Sequence, residues 1–327
     1  MHEVARGVAS RSLEHKTAWN MMELGQRLRA LGEPHPGARA WTLRAPRIDR
    51  DHAAHRLRAW LESHDDGGRR RCGVASIEDS ERGEVLAVVT VPVLADLALP
   101  IPASVPQGHW VTVDAVMRER ASGGKVMVLG PRGAPRTIPT SFDPATGRIV
   151  ARFMADREGL WLLQVVATTQ TGPRPVLEAQ VRVGDRKVVL GQPAPGEGRG
   201  RGLSDDSAIF AKLNAARASE GVRPLTRDPA LDEVAREHVR TMMAAGVVAH
   251  DVGDGTPPER AARAGISSSE VGENVSRASS ATLVHRALWS SLSHRANTLH
   301  PRYERVGVAA LRDARGVLWV AQVFVGR

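Results

Sequence analysis

The sequence predicts a multidomain α+β protein, and three observations carry that reading. The chain has 327 residues, longer than one ordinary core requires, so two or three domains are expected. Its middle third alternates apolar and polar residues at period two between turn signals, as half-buried strands do. Its last third spaces apolar residues at helical intervals between N-cap and glycine signals, then closes on two strand-like runs.

Two boundaries rich in glycine and proline divide the chain. G-Q-P-A-P-G-E-G-R-G-R-G, residues 191–202, lacks apolar periodicity and is expected to be a linker that packs no core. L-P-I-P-A-S-V-P, residues 99–106, is the second boundary. The expected domains are therefore 1–98, 99–190 and 204–327, with a linker at 191–203.

Residues 1–98 read as helical, then strand-like. Leu13, Trp19, Met22 and Leu28 are placed to line helix faces, as are Leu57, Trp60 and Leu61. Residues 71–91 also parallel residues 305–325: both have an Arg, a G-V-A, an Asp four residues on, an Arg-Gly turn and an apolar strand. A helix carrying Trp60 or Trp289 precedes each. Two explanations fit, a shortened internal repeat or the plain likeness of two glycine-led hairpins.

Residues 99–190 read as an antiparallel sandwich, immunoglobulin-like by the number and spacing of its strands. Leu177, Ala179, Val181 and Val183 alternate with Glu178, Gln180 and Arg182. Residues 110–117, 125–129, 148–154 and 160–168 read the same way, with Gly130-Pro131 and Pro144-Ala145-Thr146-Gly147 among the turns between them. No catalytic cluster stands out here, so a spacer or adhesion module is expected.

In the last segment Ser204 is a helix N-cap followed by Asp205 and Asp206, and Ile209, Phe210, Leu213 and Ala216 form the apolar stripe up to Gly221. Asp228 and Pro229 open a second helix, with Leu231, Val234, Ala235, His238 and Met242 on one face and Gly246 at its end. His238, on an apolar face, is expected to be a packing residue. Thr256-Pro257-Pro258-Glu259 has capping-box spacing and opens a short helix ending at Gly265. A helix beginning near Ser280 would place Ser291 and His294 on one face if it continues that far. Strands at 305–311 and 317–325, joined by a turn at 313–316, end the chain.

Three short motifs hold the chemistry: V-V-A-H ending at His250, V-G-E-N around Glu273 and S-H-R-A-N around His294. They follow N-A-A-R, G-V-R-P-L and D-P-A-L-D-E-V-A-R-E-H. That order resembles the bacterial branch of the CAP superfamily, the family of cysteine-rich secretory proteins, venom antigens and plant pathogenesis-related proteins, over about residues 204–327. The resemblance implies an α-β-α sandwich, an exported protein, and a cleft that collects two histidines and two acids. His250, Glu273 and His294 match three of those four. The second acid has no match; Ser291 stands near its place, and Leu288 stands where many members have Trp. The resemblance also makes the repeat at residues 1–98 a degenerate CAP-like unit without the cleft motifs.

Two imidazoles and a carboxylate suit a divalent ion, Zn²⁺ first and Cu²⁺ or Ni²⁺ next. His250, Glu273 and His294 are thus the candidate metal ligands, although their spacing is no local metal motif. Three functions follow. The first is a non-enzymatic cleft for a divalent ion or small ligand; the family's binding roles add a lipid, a peptide or a cell-envelope component. The second is a hydrolase or peptidase, with Ser291 as nucleophile, His294 as base and Glu273 as orienter, or with a metal-bound water. The third is a structural or adhesive envelope protein with an idle cleft.

Composition narrows these. The net charge of +9 is nearly all arginine and dispersed, with Arg69-Arg70-Arg71 the only run, so a nucleic-acid partner is not expected. The single cysteine, Cys72, excludes an intrachain disulfide. No apolar stretch reaches the length of a membrane span. The first residues show no apolar signal-peptide core, so export requires a leader outside this reading or a different start.

Overall fold

The computed structural model describes residues 1–16, 18–63, 68–185 and 193–326. The first unit contains helices α1 (His2–Leu13) and α2 (Met21–Ala30), strand β1 (Arg39–Ala45), helix α3 (Arg50–Glu62) and the hairpin β2 (Arg70–Asp79)–β3 (Gly83–Pro92). The sheet is antiparallel in the order β1-β3-β2. Val85, Ala87, Val89 and Val91 meet α1 and α2 through Val4, Ala5, Leu24 and Leu28. Val88 on the opposite face packs with Trp41, Leu57 and Trp60, as the period-two geometry of a strand requires. Asn20 and Glu23 close a reciprocal capping box at the start of α2. Trp19 therefore lies before that helix rather than on it, with Arg27 stacked 3.8 Å from its ring centroid.

The second unit is made of β4 (Ala95–Leu97), β5 (Ser104–Val105), β6 (His109–Met117), β7 (Gly123–Leu129), β8 (Arg136–Ile138), β9 (Thr140–Asp143), β10 (Arg148–Ala155), β11 (Gly159–Thr169) and β12 (Gly172–Val183). Two sheets, β4-β6-β10-β9 and β5-β12-β11-β7-β8, pack face to face around Val113, Ile149, Phe153, Trp161 and Leu163. All pairings are antiparallel except β5 with β12. The strands the sequence leaves unmarked, β4, β5, β8 and β9, have two to four residues each, too few to display alternation. Leu94 and Ala95 are buried in this core, so the sandwich begins a few residues ahead of the low-complexity boundary.

The third unit contains α4 (Asp205–Ser219), β13 (Thr226–Arg227), α5 (Pro229–Ala245), α6 (Pro257–Arg263), β14 (Val271–Ala278), α7 (Ala281–Ser290), α8 (Leu292–Thr298), β15 (Tyr303–Arg312) and β16 (Leu318–Gly326). Its sheet runs β13-β15-β16-β14. Ile209 and Leu213 of α4 and Val284 and Leu288 of α7 cover Val306, Val308, Val320 and Phe324. Leu231, Val234, Val239 and Met242 of α5, with Ala261 of α6, cover Trp319, Ala321, Val323 and Val325 on the other face. This is an α-β-α stack, and β16 is buried on both faces, which explains a sequence that is apolar but for Gln322. Asp228 accepts from the Ala230 and Leu231 amides, and Gly246 ends α5 at φ 69°.

Two expectations change here. The helix does not run from 280 through His294: Ser291 is extended (φ −88°, ψ 126°) and separates α7 from α8. Leu288 is buried against the sheet of its own unit, whereas Leu292 is buried with Met127, Leu129 and Val166 of the sandwich. Residues four apart share one face of a continuous helix, so burial in two different cores requires the break. The 193–202 segment also does more than link. Lys212 Nζ donates to the Arg199 carbonyl at 2.7 Å and to that of Glu197, Arg286 pairs with Glu197, and the His285 ring meets the Pro195 carbonyl at 2.7 Å. Carbonyls freed by the turns thus become partners for side chains buried in the third unit. Residues 186–192, the rest of that boundary, lie outside the described residues.

The first and third units share a geometric row. Val89 of β3 lies between Gly73 and Ala40, and Val323 of β16 lies between Gly307 and Glu273. A Cβ on Gly73 would lie 2.4 Å from the Met1 carbonyl carbon, and one on Gly307 2.1 Å from that of Leu231. In each unit the glycine lets the start of a helix lie directly on the hairpin. Among the described residues no helix is long and apolar enough to cross a membrane.

Candidate functional site

Glu273 is in the middle of β14, not in a turn. Its side chain is fully buried, because β14 pairs with β16 beneath α6 and α8. One oxygen, Oε1, lies 2.8 Å from His250 Nδ1 and 3.7 Å from His238 Nε2. The other, Oε2, accepts from Arg260. Burial would raise the carboxyl pKa, but the His250 hydrogen bond and the charges of His250, Arg260 and His238 outweigh it and hold the group below the usual carboxylate range.

His250 is on the loop after α5, and that loop is built on buried polar groups. His238 of α5 is fully buried, with Nδ1 2.7 Å from Asp254 Oδ2 and Nε2 3.0 Å from the Ala249 carbonyl. Arg260 of α6 donates to the His250 carbonyl at 2.9 Å, to the Gly255 carbonyl and to Asp254 Oδ1 at 3.4 Å. His238 is therefore a packing residue, as its apolar face suggests, but what it packs is the loop that presents His250. Glu273 holds the Nδ1 edge of His250 and leaves its Nε2 edge free of protein partners among the described residues.

His294 reaches the same place from α8. Asn274 Nδ2 donates to the His294 carbonyl at 3.2 Å, and Asn297 Nδ2 donates to the Glu273 carbonyl at 2.9 Å and to Asn274 Oδ1 at 3.1 Å. The asparagines of the G-E-N and S-H-R-A-N motifs thus clamp β14 and α8 together. Burial, with a smaller contribution from nearby His250, pulls the His294 imidazole down to about 3, so it is neutral at neutral pH. Arg295 beside it stacks on Trp289 at 3.8 Å.

The structure therefore brings His250 and Glu273 into direct contact, with His294 close enough to His250 to be affected by its charge. It does not bring Ser291 to His294: the Ser291 hydroxyl meets Gln164 Nε2 at 3.3 Å and Ser293 Oγ at 3.2 Å. Among the described residues no group of three or more His, Cys, Asp or Glu side chains forms a ready metal site. Both Glu273 oxygens already have partners, His250 on one and Arg260 on the other. The sequence reading missed Arg260 and Asp254. An arginine at the C-terminal side of T-P-P-E and an aspartate in a glycine-rich loop have no local pattern that marks them as buried. A polar residue inside the apolar run L-L-Q-V-V-A does mark Gln164.

A family model described as the cysteine-rich secretory protein family, CAP, matches residues 210–324. No curated protein matches the chain. Among solved structures, an outer surface protein of Borrelia burgdorferi aligns at 19% identity and TM-score 0.36, covering 38% of this chain and 92% of that one. An extracellular protein containing an SCP domain from Bacillus anthracis aligns at 17% identity and TM-score 0.35, covering 70% and 68%. A cysteine-rich secretory protein from Staphylococcus aureus aligns at 11% identity and TM-score 0.33, covering 83% and 90%.

Proposed function

Residues 210–324 are a CAP domain, and from that premise we propose that the chain is an exported, non-enzymatic CAP-domain protein whose cleft takes a divalent cation or small ligand between His250 and His294. The observation that carries the reading is the support behind His250. A carboxylate on one ring nitrogen, itself fixed by Arg260, orients the imidazole and leaves its other nitrogen to face a ligand. The neutral ring of His294 is the ligating form of histidine.

In this reading the ion is held by two imidazoles with Glu273 behind one of them rather than by His250, Glu273 and His294 as three donors, because both Glu273 oxygens already have partners. Zinc, copper or nickel suits such nitrogens, and the chemistry the ion would supply is Lewis acidity toward whatever fills its open positions. Calorimetry with zinc tests this. Weak, reversible binding is expected for the wild-type chain and none for His250→Ala/His294→Ala; unchanged binding by the double variant overturns the reading.

The shared row supports reading the first unit as a degenerate, shortened CAP-like copy with Ala40 in the place of Glu273. The sandwich is read as an immunoglobulin-like spacer. Export is what the CAP resemblance implies, and cell fractionation of the native host protein tests it: a cytosolic protein is incompatible with the proposal.

A further inference from the structure

We propose that Gln164 of the sandwich is a positioning residue for the CAP cleft, fixing the break at Ser291 and through it the place of His294. The proposal rests on the cleft reading above. Gln164 is completely buried within the apolar run L-L-Q-V-V-A of β11, and a buried amide is tolerated only when its donors and acceptor are met. Its partners lie across the domain boundary. Nε2 donates to Ser291 Oγ at 3.3 Å, and Oε1 accepts from the Ser293 amide at 2.9 Å. That amide is in the first turn of α8, where no intrahelical acceptor exists. One side chain thus holds the residues on both sides of Leu292, and His294 is the next residue along.

The amide is itself oriented. Its Nε2 also donates to Glu178 Oε1 at 2.7 Å, which identifies the nitrogen edge. Glu178 is held in turn by Arg29 of the first unit and by its own amide donating to the Pro34 carbonyl at 2.7 Å. All three units therefore act on α8 through one chain of polar contacts. The sandwich also backs the other imidazole: a Cβ on Gly172, at the β11–β12 turn, would lie 3.0 Å from His250 Cβ. An interface that served only to join two domains could place leucine at 164, since Gln164 pairs across the sheet with Met127, which packs with Leu129, Val166 and Leu292.

The test compares Gln164→Leu with Leu129→Ala in the full chain; the second loosens the same interface without touching the amide. Gln164→Met replaces the leucine variant if that one does not fold. Gln164→Leu is expected to weaken zinc binding about 10-fold, the usual effect of losing an outer-shell partner, with Leu129→Ala within about 2-fold of wild type. In metal-free protein, imidazole resonances of His294 should move while those of His250 stay, and the Ser293 amide should exchange faster. Equal effects of the two variants overturn the proposal, as do unchanged His294 resonances and Ser293 exchange in Gln164→Leu. If the wild-type chain takes no zinc, the cleft reading fails by itself, and the metal-free measurements still decide the role of Gln164.

Discussion

Replacing Arg260 with methionine removes the cation that meets buried Glu273. Arg260 and Glu273 have side chains 4% and 0% exposed, so solvent screens neither. Removing one partner of a buried pair leaves an uncompensated charge and costs about 3–5 kcal/mol. The His250 carbonyl loses its donor in the same step, and that loss is not added because the two share one network. At roughly 4 °C per kcal/mol for a domain of this size, the midpoint should fall by about 12–20 °C. Arg236→Met, which breaks the exposed pair with Glu233, should cost less than about 1 kcal/mol. The deficit also has a direction with pH. In the wild type the Glu273 pKa is held below its unfolded value, so the carboxylate's contribution is present above the unfolded pKa and lost as pH falls through the folded one. Arg260 is one of the charges that hold that pKa down, so without it the folded pKa rises and the variant gains on the wild type as pH falls from 7 toward 4. Thermal melts by circular dichroism across that range measure both effects. A cost within 1 kcal/mol of the Arg236 control at pH 7, or a deficit that widens in acid, would refute the reasoning. Arg260→Met/Glu273→Leu, with neither member of the pair left to bury, should recover more than half of the loss.

Two further outcomes follow from single side chains. His294 has a folded pKa of about 3 against an ordinary 6.5; between those values the unfolded state holds the extra proton, so stability falls as pH drops, by up to about 1.4 kcal/mol per unit from this group. Urea titrations with chelator present should show that His294→Gln removes this slope between pH 6 and 4; an unchanged slope excludes His294 as its source. Gly307→Ala puts a Cβ 2.1 Å from the Leu231 carbonyl carbon and should cost about 3 kcal/mol or more, whereas Gly221→Ala, left-handed but in open space, should cost about 1 kcal/mol; equal midpoints in urea would show that α5 does not rest on the hairpin.

The sequence displays what is encoded locally. Asp228-Pro229 and Gly246 bound α5 as their capping chemistry requires, and Thr256 and Glu259 meet at the start of α6. His250 and Glu273 are legible only through the family's motifs, since a spacing of 23 carries no periodic signal. Strand β14 escaped notice because V-G-E-N-V interrupts its apolar run with the polar residues that make the cleft. The break at Ser291 is invisible for a different reason. S-S-L-S contains no proline or glycine, and what stands at the break comes from the sandwich: its core receives Leu292, and Gln164 meets Ser291 and Ser293. Long-range partners of this kind, Arg260 for Glu273 and Gln164 for Ser293, leave no trace in spacing.

The same distinction explains why the chain has two hairpin units and one buried His–Glu–Arg cluster. In the third unit a glutamate can stand beside Val323 because α6 supplies Arg260 and the loop before it supplies His250. In the first unit the strand bearing Ala40 follows α2, whose arginines are engaged elsewhere: Arg27 stacks on Trp19, and Arg29 reaches out to Glu178 of the sandwich. A carboxylate at position 40 would lie against the apolar cluster of Val85, Val89 and Leu28. Ala40 packs against that cluster, and Arg29 pairs instead with Glu178 of the sandwich. On this view the first unit contributes to the cleft without having one, by anchoring the glutamate that orients Gln164.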